Sequence, residues 1–182
     1  MRQKKSGQVA FGGVMAGLAL VVMLLGGVFP LATFCAPALG GVLVMLAAAE
    51  CGTRLAFGMY AAIALLSLWL VPDLEMGMIF ACFLGYYPLL KPLLDGIRRP
   101  PLRWAAKLLL FNGAVQCMYF LLLVLFPVGY LVAEMGSYGR SMLAALLGLA
   151  NLAFCVYDLA LRNVLRLYLL KVHPLLCRHG RA

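Results

Sequence analysis

Polar side chains that could do chemistry are scarce in this sequence, and several lie inside apolar stretches. Asn112 and Gln116 are four residues apart, so they share one face of a helix. Asn151 lies in the middle of the last apolar stretch, with Tyr157 and Asp158 near its end. Amides inside membrane helices commonly link helices by hydrogen bonds. The alternative is that these amides line a polar cavity.

Two acidic residues within the apolar stretches stand four positions before an arginine. Asp158 precedes Arg162 in this way, and Glu50 precedes Arg54. Since side chains at this spacing are neighbours on a helix surface, we expect both pairs to form local ion pairs.

Aromatic and acidic residues also occur near the ends of apolar stretches and around the proline-bounded segment 29–37. An aromatic floor with a few carboxylates could receive a small cationic or heteroaromatic ligand. An aromatic belt with ordinary loop acids is the other interpretation. The candidate solute-binding residues are Trp69, Asp73, Glu75, Glu134, Tyr138 and Asn151.

Catalytic chemistry has little support. The two histidines, His173 and His179, lie in the basic C-terminal segment, and no HExxH, GxSxG or phosphate-binding glycine loop occurs. The six cysteines contain no CxxC pair, which is typical of packing residues within helices. We therefore expect no enzymatic activity, no metal site and no cofactor.

The composition indicates which elements position these residues. Of 182 residues, 65% are hydrophobic and 12% are charged, whereas about a quarter of the residues of a soluble domain are charged. No charged side chain occurs between Lys5 and Glu50, a distance long enough for two bilayer crossings. These features exclude a soluble globule and a disordered chain, and predict an integral membrane protein.

Charges and prolines divide the chain into six apolar segments, which predict an all-α bundle of six transmembrane helices forming a single domain over 1–182. A basic tail is expected over 162–182. The second and fourth segments are shorter than the roughly 20 residues that a crossing needs, so tilting or local thinning is expected there. The predicted spans are 9–29, 37–50, 54–71, 75–90, 107–133 and 141–161. We read the first as an uncleaved helix rather than a signal peptide.

The basic residues predict the orientation. With the N- and C-termini in the cytoplasm, every Lys and Arg except Arg140 falls on the inner side, while Asp73, Glu75 and Glu134 fall outside. This asymmetry follows the positive-inside rule and predicts a multi-pass cell-membrane protein. The net charge of +9 then reflects the membrane topology first. It also makes membrane lipids expected partners. Nucleic acid is not expected.

One inner segment and one helix carry further patterns. Trp104 among the basic residues of segment 98–107 predicts a helix lying at the lipid headgroups before the fifth span. This helix is either a positive-inside anchor with an interfacial tryptophan or a docking surface for a cytoplasmic partner. Small-xxx-small spacing in the first span lets another helix approach closely, either within the bundle or from a partner protein. The predicted partner-docking residues are Gly12, Gly13, Ala16 and Gly17.

In layout the chain resembles the substrate-binding (S) components of bacterial energy-coupling-factor vitamin transporters. The likeness rests on the basic N-terminus, the small-residue stripe at 12–17, the proline-flanked loop after it, and the stretch from Gly40-Gly41-Val42 through Gly52-Thr53-Arg54. The resemblance implies that the first helix docks onto a transmembrane coupling protein driven by two cytoplasmic ATPases. It also implies that a vitamin-like solute binds in the outward half, beneath the first loop. No signature of the riboflavin, thiamine, biotin or folate subfamilies is present, so the solute stays open.

Two other classes remain open. The runner-up is a small envelope scaffold, similar in size and span number to the rod-shape-determining membrane proteins, that binds partner proteins and no solute. A membrane enzyme acting on lipid-linked substrates is disfavoured because no catalytic cluster is visible.

Overall fold

The bundle is built from long apolar helices separated by glycine and proline. The structure, a computed structural model, describes residues 2–29, 32–125 and 140–172, and no strand occurs among them. The helices are α1 (Arg2–Gly26), α2 (Cys35–Cys51), α3 (Thr53–Leu70), α4 (Leu74–Ile79), α5 (Tyr87–Asp95), α6 (Pro100–Leu125) and α7 (Arg140–Leu167), with π-helical turns at Phe80–Leu84 and Tyr168–Val172. The all-helical prediction is confirmed for this part of the chain.

Five stretches within the described residues are long and apolar enough to cross a membrane. They are Ser6–Gly26, Thr53–Leu70, Leu74–Asp95, Pro100–Leu122 and Ser141–Leu170, while α2 is apolar but shorter. The fourth span, predicted to be short at 75–90, is longer in the structure. It extends through α5 and has 22 residues. The chain is therefore compatible with a multi-pass membrane protein.

Contacts between distant segments show which helix ends lie together. The Cys51 thiol donates to the Gln8 carbonyl (3.4 Å), and the Tyr168 hydroxyl donates to the Glu50 carboxylate (2.7 Å). The start of α1, the end of α2 and the turn after α7 thus meet at one end of the bundle. We call this the basic end, since Arg54 lies at the start of α3, directly after α2, and Arg162 lies near the end of α7. At the other end, the Thr33 hydroxyl donates to Asp73 (3.0 Å) and joins the α1–α2 and α3–α4 linkers.

Three buried clusters hold the described helices together, and two of them include aromatic residues of the segment 80–87. In the first, α1, α2 and α3 pack through small and flexible side chains such as Met23, Val44 and Ile63. In the second, Phe83 and Tyr87 pack against Phe154 of α7. In contrast, residues 141–149 of α7 are all exposed.

The π-helical turn Phe80–Leu84 lies where these two clusters meet. A π turn departs from the regular helical hydrogen-bond ladder, so its carbonyl groups need other partners. The Tyr60 hydroxyl from α3 donates to the Ala81 carbonyl (2.6 Å), and the Tyr157 hydroxyl from α7 donates to the Leu84 carbonyl (3.4 Å). Tyrosines from two helices therefore support this irregular turn.

Residues 100–107, predicted to form a helix before the fifth span, are helical and continuous with that span. Helix α6 begins at Pro100 and passes through Trp104 and Lys107 to Leu125 without a break. Proline suits the first turn of a helix because the amide hydrogen it lacks has no intrahelical partner there. Consequently Lys107 lies inside the bundle, with 2% of its surface exposed.

Candidate functional site

Four charged side chains and one tyrosine meet between α5, α6 and α7 at the basic end. The Lys107 ammonium lies 3.0 Å from each carboxylate oxygen of Asp158 and 2.6 Å from Asp95. The Lys91 ammonium also contacts the Asp158 carboxylate and lies 3.6 Å from Asp95. The Tyr87 hydroxyl donates to Asp158 at 2.5 Å. We call these five residues the charge cluster.

The positions of these side chains follow from helical spacing. Tyr87, Lys91 and Asp95 are each four residues apart, so they line one face of α5. Lys107 comes from the first turns of α6, and Asp158 comes from the second half of α7. Only the packing of three helices brings these positions together.

Three charged residues of the cluster are buried, so their pairing affects the stability of the fold. Asp158, Lys107 and Lys91 are 1%, 2% and 5% exposed, and the two lysines are balanced by Asp158 and Asp95. Among the described residues, no buried side-chain nitrogen or oxygen lacks a hydrogen-bond partner. Removing one member of such a group leaves an uncompensated buried charge. The ion pairs of the charge cluster therefore hold α5, α6 and α7 together.

The two predicted local ion pairs are wrong. The Asp158 carboxylate turns inward to Lys91 and Lys107, while Arg162 stays exposed on the surface of α7. Glu50 accepts a hydrogen bond from Tyr168, and no ion pair to Arg54 is present among the described residues. The i to i+4 spacing permits a pair, but a carboxylate that faces the interior binds the donors available there.

Sequence reasoning assigned Lys91 and Lys107 to the positive-inside pattern and so missed their role. The signal that could have found them is the four-residue spacing of Tyr87, Lys91 and Asp95 on an otherwise apolar helix. A lone acid in the last span also needs a basic partner from elsewhere.

Two further layers join α6 to α7 away from the charge cluster. The rings of Phe111 and Phe154 stack with centroids 4.8 Å apart. Asn112 and Asn151 exchange two hydrogen bonds of 2.9 and 3.2 Å. For Asn112 and Asn151 the structure shows the link between helices, while Gln116 is exposed.

The candidate solute-binding residues have separate surroundings. Trp69 is 91% exposed. Asp73 caps α4 by accepting a hydrogen bond from the Met76 amide (3.2 Å), and Glu75 lies in the first turn of that helix. Asn151 is bonded to α6. Glu134 and Tyr138 lie outside the described residues.

The small residues of α1 divide between two faces. Gly12 is buried, and a Cβ atom there would lie 2.7 Å from the Leu55 side chain. Ala16 packs against the first buried cluster. Gly13 and Gly17 are exposed, and a Cβ atom at either position would have no neighbour within 4 Å. Of the four predicted docking residues, Gly13 and Gly17 thus present an open outer surface.

Comparisons of the chain with protein-family models, with curated proteins and with solved structures found no match.

Proposed function

We propose that this protein is the membrane-embedded solute-binding subunit of a bacterial micronutrient-uptake system. It crosses the membrane six times with both termini in the cytoplasm, and it works with a transmembrane coupling protein and cytoplasmic ATPases. The gathering of Arg54 and Arg162 at one end of the bundle supports this orientation, since basic residues accumulate on the cytoplasmic side.

The observation that carries the proposal is the open face at Gly13 and Gly17. Nothing in the described part of the chain lies within 4 Å of a Cβ atom at either glycine, although the neighbouring Gly12 is packed inside. Small residues four apart let a second helix backbone approach closely, where dispersion contacts stabilise the pair. A partner's helix fits this surface without any rearrangement of the bundle.

The test is a Gly13→Leu/Gly17→Leu double variant. We expect it to fold but to lose co-purification with the coupling protein and to lose uptake, because the added side chains hold a partner helix away. The matched control is Gly113→Leu/Gly148→Leu, which adds the same bulk at two other glycines whose Cβ positions are open. If both double variants associated equally with the coupling protein, the Gly13 and Gly17 face would not be the docking surface.

The solute is proposed to bind in the outward half, close to Trp69 and Glu75. Mass spectrometry of the protein purified in mild detergent would identify a bound small molecule. Trp69→Ala is expected to weaken its retention without changing partner association, because Trp69 projects from the bundle and supports no buried contact. Unchanged retention would contradict this placement.

A second candidate function is an envelope scaffold that binds proteins and no solute. It is favoured because two of the candidate solute-binding residues already have structural roles. Asp73 caps a helix, and Asn151 is hydrogen-bonded to Asn112. Recovery of envelope-assembly proteins without any small molecule in the same mass-spectrometry experiment would favour the scaffold.

A further inference from the structure

A groove at the basic end is separate from the Gly13 and Gly17 face and from the solute-binding residues of the proposed function. It has a volume of about 620 Å³ and lies between α2, α5 and α7. This volume is within the range of roughly 300–1,000 Å³ that is typical of ligand sites. We call it the α2–α5–α7 groove.

The walls of the groove are apolar. Ala48 and Ala49 contribute from α2, Leu89 from α5, and Leu165 and Leu169 from α7 and the turn after it. The neighbouring α5 and α7 belong to stretches long and apolar enough to cross a membrane, and apolar walls of this kind suit the acyl chains of a lipid.

The rim of the groove carries uncompensated positive charge. Arg162 and Arg166 line it one helical turn apart, and both are exposed. No ion pair of either arginine is present among the described residues. Lys91 and Asp95 also line the groove, but their charges are balanced within the charge cluster.

Two like charges one turn apart repel each other, and an anion placed between them offsets that cost. A guanidinium group binds a phosphate through two parallel hydrogen bonds. The Thr53 hydroxyl stands on the same lining and can add a further donor. The rim therefore has the chemistry of a phosphate site.

We propose that the α2–α5–α7 groove binds one anionic phospholipid, with its phosphate between Arg162 and Arg166 and an acyl chain along the apolar wall. The combination of a cationic rim with an apolar wall complements a lipid better than it complements a free phosphate ion. Basic pockets between membrane helices are known to hold anionic headgroups. This proposal does not depend on a solute or on a coupling protein.

Native mass spectrometry of the detergent-purified protein with added phosphatidylglycerol or phosphatidylcholine tests the proposal. We expect the wild type to retain one phosphatidylglycerol in preference to phosphatidylcholine. The Arg162→Gln/Arg166→Gln variant should lose affinity for it by on the order of tenfold or more. The matched control is Arg98→Gln/Arg99→Gln, which removes the same charge from exposed positions outside the groove lining.

A second variant probes the wall without changing the charge. Ala49→Phe places a ring in the groove and should reduce phosphatidylglycerol retention while the protein elutes normally on gel filtration. Equal losses in the two arginine double variants would overturn the proposal, because the effect would then be general attraction. The proposal would also fail if the wild type showed no preference between the two lipids. Displacement of the lipid by millimolar inorganic phosphate would overturn the choice of a lipid occupant.

Discussion

At Asp158, two ammonium groups and one hydroxyl from two other helices share a single carboxylate. Lys91 and Tyr87 reach it from α5, and Lys107 reaches it from α6. Burying charges is costly, and their mutual attraction offsets that cost only when every charge has a partner. Asp158 is therefore the residue whose loss affects three helices at once.

Replacing Asp158 by Asn should destabilise the protein by about 3–5 kcal/mol, because two buried lysines then face only Asp95. The control is Arg162→Gln, which should change stability by less than about 0.5 kcal/mol because Arg162 is an exposed residue without an ion pair. Thermal unfolding in detergent measures both variants. Similar losses of stability in the two variants would indicate that Asp158 pairs with Arg162 after all.

The interaction between Asp158 and Lys107 can be measured with a double variant. In an Asp158→Asn/Lys107→Gln double variant, the positive charge left unbalanced by the first change is removed by the second. The double variant should therefore be more stable than the sum of the two single losses implies, by about 1–3 kcal/mol. Strict additivity would show that the two residues do not interact.

At the scale of elements, the backbone of α2 closely approaches the π-helical turn between α4 and α5 at Gly41. A Cβ atom at Gly41 of α2 would collide with the Leu84 carbonyl and would lie 2.7 Å from the Tyr157 hydroxyl. The absence of a side chain at Gly41 thus lets α2 pack against the turn that Tyr157 supports. The same glycine-rich segment of α2 contributed to the resemblance noted from the sequence.

Gly41→Ala should destabilise the bundle by about 1–3 kcal/mol, because a backbone carbonyl cannot move aside as a flexible side chain can. The matched control is Gly13→Ala, where the added methyl group has no neighbour within 4 Å. We expect the control to retain or slightly raise the unfolding temperature, since alanine favours a helix over glycine. An unchanged unfolding temperature for Gly41→Ala would contradict the close approach.

For the whole molecule, the clustering of helix ends makes orientation testable. In a variant with the six native cysteines replaced by alanine, Arg99→Cys is expected to resist a membrane-impermeant maleimide in intact cells and to react after permeabilisation. Pro72→Cys, an exposed position at the opposite end, should react in intact cells. These outcomes follow from placing the basic end in the cytoplasm. The reverse labelling pattern would invert the proposed topology.

The sequence by itself was sufficient for the helical class and for the apolar stretches that can cross a membrane. Composition and hydropathy are sums over neighbouring residues, so they do not depend on how the helices pack. The link between Asn112 and Asn151 was one of two open interpretations, because a mid-span amide needs a partner but its sequence does not identify that partner.

The tertiary structure decided which partner each polar group takes. Asp158 has Arg162 at the right spacing on its own helix, yet it binds Lys91 and Lys107 because its side chain faces the interior. Likewise Gly12 and Gly13 are adjacent in the sequence, but one is packed inside and the other lies on an open surface. The direction in which each face of a helix points depends on contacts between residues distant along the chain. Local spacing therefore predicts which residues share a face, while packing determines what that face meets.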